Sequence, residues 1–599
     1  MIAINELPPG LILIVGALFV PLLKGHLRNL FVILLPVLGF YYIYQLESNA
    51  LVTLPFLKYE LTILRVDKLS KAFGYIFTLS AFAAFIYGYY EKRSTQFVAA
   101  LMYVGSSLGV IFAGDLFTLY ICWESMAVTS VYLILARKTE KSMAAGIRYL
   151  LVHIFGGLVL LAGIVMTVHQ SGSIAFNSFA TVTPGTVLIL VGFLINAAAF
   201  PFSTWLPDSY PEATAMGGVI LSAYTSKTAV YALIRGFPGW EILVFAGCLM
   251  AIYGIIYALL ENDMRRILGY SIINQVGFMV CAVGIGSTLA LNGAVAHAFT
   301  HIAYKALLWM SAGAVLYRVG KSKCTELGGL YQTMPWSLIF GAIGALSISS
   351  VPLTSGYTSK TIILLAAENE HLVWVWLILE IASAGVFLHA GIKFPYFVFF
   401  GKDSGLRPKE TDKSMLIGMG ILAFICIYLG CFPGILYDIL PDTEIVKSHM
   451  PHTFGDIYVG NFAHVVTQLQ LLLFSGLVFF LFLPLLKRTD TISIDIDWIY
   501  RKGGGLFYRT VDRGLNGIND IADKILVAGL TATIAAFVRN APAQILYAVL
   551  TPIWVISGVG EADRAIRKQK LFDAISQNTL PIGLAAAIGV LLLGGLFFL

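Results

Sequence analysis

Several ionisable side chains lie in stretches apolar enough to cross a membrane. In GAVAHAFTHIAYKALLWM, residues 293–310, His297, His301 and Lys305 recur at steps of four. At about 100° per residue this spacing puts all three on one helix face. Glu124 lies in LFTLYICWESMAVTSVYLIL, Lys227 in SAYTSKTAVYALI, and Lys360 in SGYTSKTIILL. A titratable group inside a span is costly and normally faces a bundle interior or a wet cavity. Histidine changes charge near neutrality, and a lysine and a carboxylate near each other can exchange a proton. The chemistry these residues suit is a proton relay through Glu124, Lys227, His297, His301, Lys305 and Lys360. His153, Glu380, His389 and Lys393 form a second tier. For these a plain reading competes: a satisfied core histidine, or a lysine snorkelling to the interface. His297 and His301 could pair on a metal, but their helix has no carboxylate or cysteine beside them, so no metal is expected.

The chain that must position these groups has 599 residues, 58% hydrophobic and only 12% charged, with a mean hydropathy of +0.83. Soluble domains carry about 25% charge, so a polytopic all-α membrane protein is expected. The net charge of +6 fits cytoplasmic loops and does not argue for nucleic acid. Six scattered cysteines without a CxxC pair read as core packing. No phosphate loop, HExxH or GxSxG setting is present, so no catalytic site of its own and no cofactor are expected. The first apolar run ends in PLLKG without a small-residue cleavage site, which predicts a retained helix.

Apolar runs fall near 8–23, 29–46, 67–90, 96–114, 115–136, 144–169, 185–206, 215–236, 240–260, 268–288, 291–317, 335–369, 372–400, 414–433, 463–486 and 580–598. That predicts roughly sixteen transmembrane helices. Proline interrupts two of them, at AFPFSTWLPD (199–208) and SVPLTSG (350–356). Broken helices are tolerated only where the freed backbone is buried or lines a hydrated cavity. The breaks fall in helices 7 and 12, and an odd offset of five predicts two inverted repeats. The expected organisation is 1–95 for helices 1–3, 96–236 and 240–400 for the repeats, and 401–487 for helices 14–15. Residues 488–578 would form a lateral segment and 579–599 a terminal anchor.

With the N-terminus outside, the inner loops hold seventeen Lys and Arg and the outer loops six, as the positive-inside rule requires. In the lateral segment Val511, Leu515, Ile518, Ala522 and Ile525 form one stripe, opposite Asp512, Arg513, Asn516, Asn519, Asp520 and Asp523. That is an amphipathic helix lying on a surface. It would be on the order of 100 Å long if most of 505–578 is helical, with interruptions near Pro542 and Pro552. The uncharged run 541–559 leaves an extra span as the alternative.

The stretches DLFTLYICWESMAVTSVYLI, FPFSTWLPDSYPEA, SKTAVYALIR, NDMRRILGYSIINQVGF, HAFTHIAYKALLWMSAG and IGALSISSVPLTSGYTSK occur in this order. Together they closely resemble the antiporter-like subunits shared by respiratory complex I, Mrp-type sodium/proton antiporters and membrane-bound hydrogenases. The resemblance covers about residues 60–435, and IDWIYRKGG looks most like the D-type subunit of the Mrp antiporters. It implies a core with an inverted repeat and, in 488–598, a lateral helix with a terminal span. By resemblance Glu124 matches the family's helix-5 glutamate and Lys227 its central lysine. His297, His301 and Lys305 match the next stations, and Lys360 the last. One position departs: where the family usually has a lysine before the FPF proline, this chain has Asn196. Asparagine carries no charge, so either Lys227 partners Glu124 instead or the path is interrupted. The function implied is translocation of protons, or of protons and sodium, in a multisubunit complex in the cell membrane. The alternative is a non-conducting membrane scaffold of a redox-linked complex. Other membrane subunits are the implied partners.

Overall fold

A computed structural model describes residues 7–484 and 495–578, together with 589, 590 and 593. The chain divides into two compact units, Met1–Asp495 and Ile496–Leu599.

The first unit opens with α1 (Gly10–Phe19) and α2 (Gly25–Gln45), followed by a hairpin of β1 (Leu51–Phe56) and β2 (Tyr59–Arg65). Then come α3 (Lys68–Tyr87), α4 (Ser94–Phe112), α5 (Leu116–Leu135), α6 (Glu140–Ser171), α7 (Pro184–Asn196), α8 (Trp205–Ser209), α9 (Ala215–Ala223) and α10 (Thr225–Gly236). Next are α11 (Ile242–Leu260), α12 (Met264–Ile285), α13 (Thr288–Val319), α14 (Pro335–Ile348), α15 (Ser355–Asn369) and α16 (Val373–Val386). α16 runs on through π-helical turns at Phe387–Lys393 and Tyr396–Phe400. The unit closes with α17 (Lys413–Cys431), α18 (Gly434–Tyr437), α19 (Thr443–His449) and α20 (Phe462–Leu481). Among the described residues eleven helices are long and apolar enough to cross a membrane, and Gly10–Leu22, Pro184–Asn196 and Pro335–Ile348 are shorter apolar helices.

Helix starts follow local chemistry. Asp67 and Ser70 form a capping box on α3, and Asp115 accepts from the Phe117 and Thr118 N–H groups at the start of α5. Such caps satisfy N–H groups that a helix end cannot pair internally. The centre of the unit is α13, buried almost throughout from Leu289 to Val315 and packed by α3, α9, α12, α14, α15 and α17. α12 beside it is equally enclosed. A helix apolar on all sides can be stable only in such a position.

Both proline interruptions appear, between α7 and α8 and between α14 and α15. Three features differ from the sequence reading. The segment between the second and third spans is a hairpin. Its turn residue Leu57 has φ 54°, and no Gly, Asn or Asp marks that turn. The eighth span is not continuous, because the chain breaks at Tyr224 between α9 and α10 without a proline or glycine there. Finally, ENDMRR (261–266), whose run of polar residues suggests a solvated turn, is largely buried. Arg265 is fully buried and donates to the Pro211, Ala213 and Thr214 carbonyls, which pins the loop between α8 and α9.

In the second unit α21 (Asp497–Ala522), a π-helical stretch (Asp523–Gly529) and α22 (Leu530–Ile556) form one 60-residue helical run. At 1.5 Å per residue it is about 90 Å long. It passes through Pro542 and Pro552 without ending, contrary to the expected interruptions. A turn then leads to α23 (Glu561–Asn578). The apolar stripe is uncovered, with Leu515, Ile518 and Ile525 all about 60% exposed. The anchor expected at 580–598 lies outside the described residues apart from three positions.

Candidate ion-translocation site

The three groups of α13 do share a face inside the bundle. His297, His301 and Lys305 are all fully buried, and the two imidazole centres lie 6.2 Å apart. His297 Nδ1 is 3.1 Å from Ser359 Oγ of α15, and Thr300 Oγ1 meets the same hydroxyl at 2.8 Å. Tyr304 stands edge-on to His301 and donates to Gln275 Oε1 of α12. His301 uses neither ring nitrogen, and Lys305 Nζ has no hydrogen-bond partner among the described residues. Burying an amine unpaired costs several kcal/mol in an apolar setting, on the order of 2–7 kcal/mol for a neutral polar group. Packing alone does not favour such residues.

Two further lysines face the ends of half-helices. Lys227 donates to the Ser222 carbonyl at 2.7 Å and to Ser226 Oγ at 3.1 Å. The break at Tyr224 is what frees that carbonyl from the helical ladder. Lys360, also buried, donates at 2.7 Å to the carbonyl of Ile348, the last residue of α14. Each ammonium thus sits at a C-terminal carbonyl, the end of a helix where a cation is favoured. The Lys360 side chain also passes over Phe278, whose ring lies 6.0 Å from His297. Both lysines lie in the same string, YTSKT, at 224–228 and 357–361. That duplication is the signal that could have exposed Ser359 and the break at Tyr224, neither of which the spacing of charges revealed.

Lys393 is different in kind. It donates to the carbonyls of Ala258, Leu259 and Glu261, where α11 ends. His389 gives Nδ1 to the Gly385 carbonyl at 2.8 Å. Glu380 is half-buried and forms no ion pair among the described residues.

Glu124 and Lys227 do not pair. The lysine serves α9, whereas the carboxyl of Glu124 lies against α6, where a Cβ on Gly157 would overlap Oε1. Glu124 is half-buried, with Oε1 enclosed and unpartnered among the described residues. Asn196, at the end of α7, turns its Oδ1 to His153 Nδ1 at 2.9 Å. His153 is packed between the rings of Tyr149 and Trp205.

At the C-terminal end of α10, Asp67, the residue that caps the start of α3, ties α3 to α10 through Arg235 at 2.8 Å. Burial alone would raise its carboxyl. Arg235, the Ser70 N–H and Arg65 outweigh that and hold it below its ordinary value.

The chain that carries these groups has relatives among known proteins. Residues 113–385 match the family described as "NADH:quinone oxidoreductase/Mrp antiporter, TM". That match takes in just under half of the chain, which is similar to the family over those residues. The chain is a multi-pass membrane protein. Hydrogenase-4 component B of Escherichia coli is 26% identical over 423 residues, covering 63% of each chain. The A-type subunit of the Na(+)/H(+) antiporter of Alkalihalophilus pseudofirmus is 27% identical over 515 residues, covering 75% of this chain and 63% of its own length. The A1-type subunit of the Staphylococcus aureus Na(+)/H(+) antiporter is 29% identical over 480 residues, with 73% and 59% covered. The chain therefore spans less than two thirds of the length of these curated relatives. They are A-type antiporter subunits and a hydrogenase component, where the IDWIYRKGG stretch pointed to the D type. Among solved structures, the Mrp complex of a Dietzia species superposes with TM-score 0.73 at 21% identity, covering 88% of this chain and 62% of that one. An archaeal membrane-bound sulfane sulfur reductase superposes at 0.69 and 22%, covering 89% and 98%. At those identities the likeness concerns the fold.

Proposed function

We propose that this chain translocates protons, alone or in exchange for sodium, as one membrane subunit of an Mrp-type or complex I-like assembly. The route runs from Glu124 through Lys227 to His301, His297 and Lys305, and on to Lys360. The observation that carries this reading is the row on α13. Lys305 Nζ and both His301 nitrogens are fully buried and unpaired among the described residues, a cost that a proton path explains and packing does not. Lys227 and Lys360 sit where loss of a proton would release the carbonyls of broken half-helices. A charge arriving at one station therefore alters both the proton affinity of the next and the backbone around it.

The names of the relatives favour a multisubunit setting, and other membrane subunits are the proposed partners. In the proposed topology the N-terminus is outside and the lateral segment lies near the cytoplasmic face of the cell membrane. Segments 96–236 and 240–400 are the proposed inverted repeats, and the D-type likeness is kept as the finer proposal. A non-conducting scaffold is the second reading, favoured by the neutral Asn196 in place of a lysine.

Proton flux through the complete complex in sealed vesicles decides between them. Glu124→Gln and Lys227→Ala should each lower flux at least tenfold with assembly intact. Wild-type flux in both variants would leave only the scaffold reading standing.

A further inference from the structure

The first repeat lacks the cation that the sequence led one to expect at 196, and the structure shows what stands there. α6 carries His153 and Gly157 one turn apart, hence on one face, with Cβ positions roughly 5–6 Å from each other. The carboxyl of Glu124 occupies the space that any side chain at 157 would need: a Cβ there would overlap Oε1 and lie 2.7 Å from Cδ. Glycine at 157 is thus a cradle for the carboxyl of α5. One turn away, His153 is fully enclosed by Tyr149 and Trp205, and Asn196 of α7 faces its Nδ1. With the amide oxygen as acceptor, Nδ1 carries the hydrogen and Nε2 presents a lone pair. Glu124 Oε1, His153 Nε2 and Asn196 Nδ2 come from three different helices, and each is buried without a partner among the described residues.

We propose that His153 is the proton partner of Glu124, held in the required tautomer by Asn196, and that Gly157 is the notch that admits the carboxyl. The proposal deepens the path described above and rests on it. His153 Nε2 takes up a proton, and the ring then holds N–H at both nitrogens, with Nδ1–H still donated to Asn196 Oδ1. It next releases the Nε2 proton to the Glu124 carboxylate and returns to its neutral form, so the carboxylic acid gains the proton that the ring loses. The transfer runs directly or through one bridging water. Asn196 acts through the ring and is a positioning residue. The half-exposed position of Glu124 lets the acid pass its proton on, whereas a structural carboxyl in this bundle would be expected to accept hydrogen bonds, as Asp115 does from Phe117, Thr118 and Thr62.

The test uses the complete complex in sealed vesicles under an imposed membrane potential, with proton entry read by a pH-sensitive dye. Gly157→Ala favours the helix while its methyl group displaces the carboxyl, and it should cut flux at least tenfold with assembly unchanged. His153→Gln should do the same. Adding Asn196→Lys to His153→Gln should restore a large part of the flux, since it returns a cation to the place His153 occupied. Wild-type flux in H153Q or G157A, while E124Q and K227A abolish it, overturns this inference and leaves the wider path intact. Wild-type flux in E124Q and K227A removes the path itself. Loss in H153Q without recovery by N196K marks His153 as a packing residue and also overturns the proposal.

Discussion

Lys305 is the residue whose chemistry and packing disagree most. Its Nζ is enclosed on the central helix and bonded to nothing among the described residues. Methionine has similar volume and no polar atom, so Lys305→Met removes a buried group that costs about 1–3 kcal/mol to leave unsatisfied. The variant should melt no lower than wild type in detergent, while proton flux falls at least tenfold. A lysine kept for the fold would show the opposite: lower melting and normal flux per assembled complex. The spacing 297, 301, 305 already implied a shared face, since helical rotation is a local property. That Lys305 would lack a partner was not legible, because partners come from α12, α14 and α15, which are distant in sequence or set by packing.

At the scale of elements, the lysines separate by what they cap. Lys227 and Lys360 serve carbonyls of half-helices created by breaks, and Lys393 serves the ordinary end of α11 through three carbonyls. Hydrogen bonds from a charged donor contribute about 1.5–3 kcal/mol each where they are buried. Lys393→Met should therefore destabilise the protein by a few kcal/mol, on the order of 2–4 kcal/mol given partial relaxation. Flux per folded complex should stay within about twofold, as expected of a group outside the path. Thermal melting and vesicle flux measured on the same preparation check both halves. Two of the three breaks were readable, because proline removes an N–H and the ladder must stop there. The break at Tyr224 was not, since no residue type announces it. The hairpin was missed for a related reason, its turn being made by Leu57 with a positive φ.

For the whole molecule, the two units differ in how they hold together. The first has a continuous core around α13, whereas Ala543 is the one buried residue among the described side chains of α22 and α21 has none. A 60-residue helical run with an uncovered apolar stripe cannot be stable in water alone. It needs a membrane surface or neighbouring subunits along its length. Ending the chain at Asp495 should leave the melting temperature of the first unit unchanged. The same truncation should lower co-purification of the other membrane subunits severalfold, which size-exclusion chromatography of the intact complex would show.

By itself the sequence determined the membrane class, the sites of the proline breaks, the one-sided row on α13 and the family resemblance. Each of these follows from local composition, periodicity or ordered motifs, which need no knowledge of neighbours. Only the tertiary structure decided which ionisable groups meet. It turned Lys227 away from Glu124 towards a freed carbonyl, set the Glu124 carboxyl into the notch at Gly157, and joined Asn196 to His153. Those pairings depend on helix rotation and close approach between segments far apart in the chain. Sub-ångström packing settles them, and a one-dimensional pattern does not encode it.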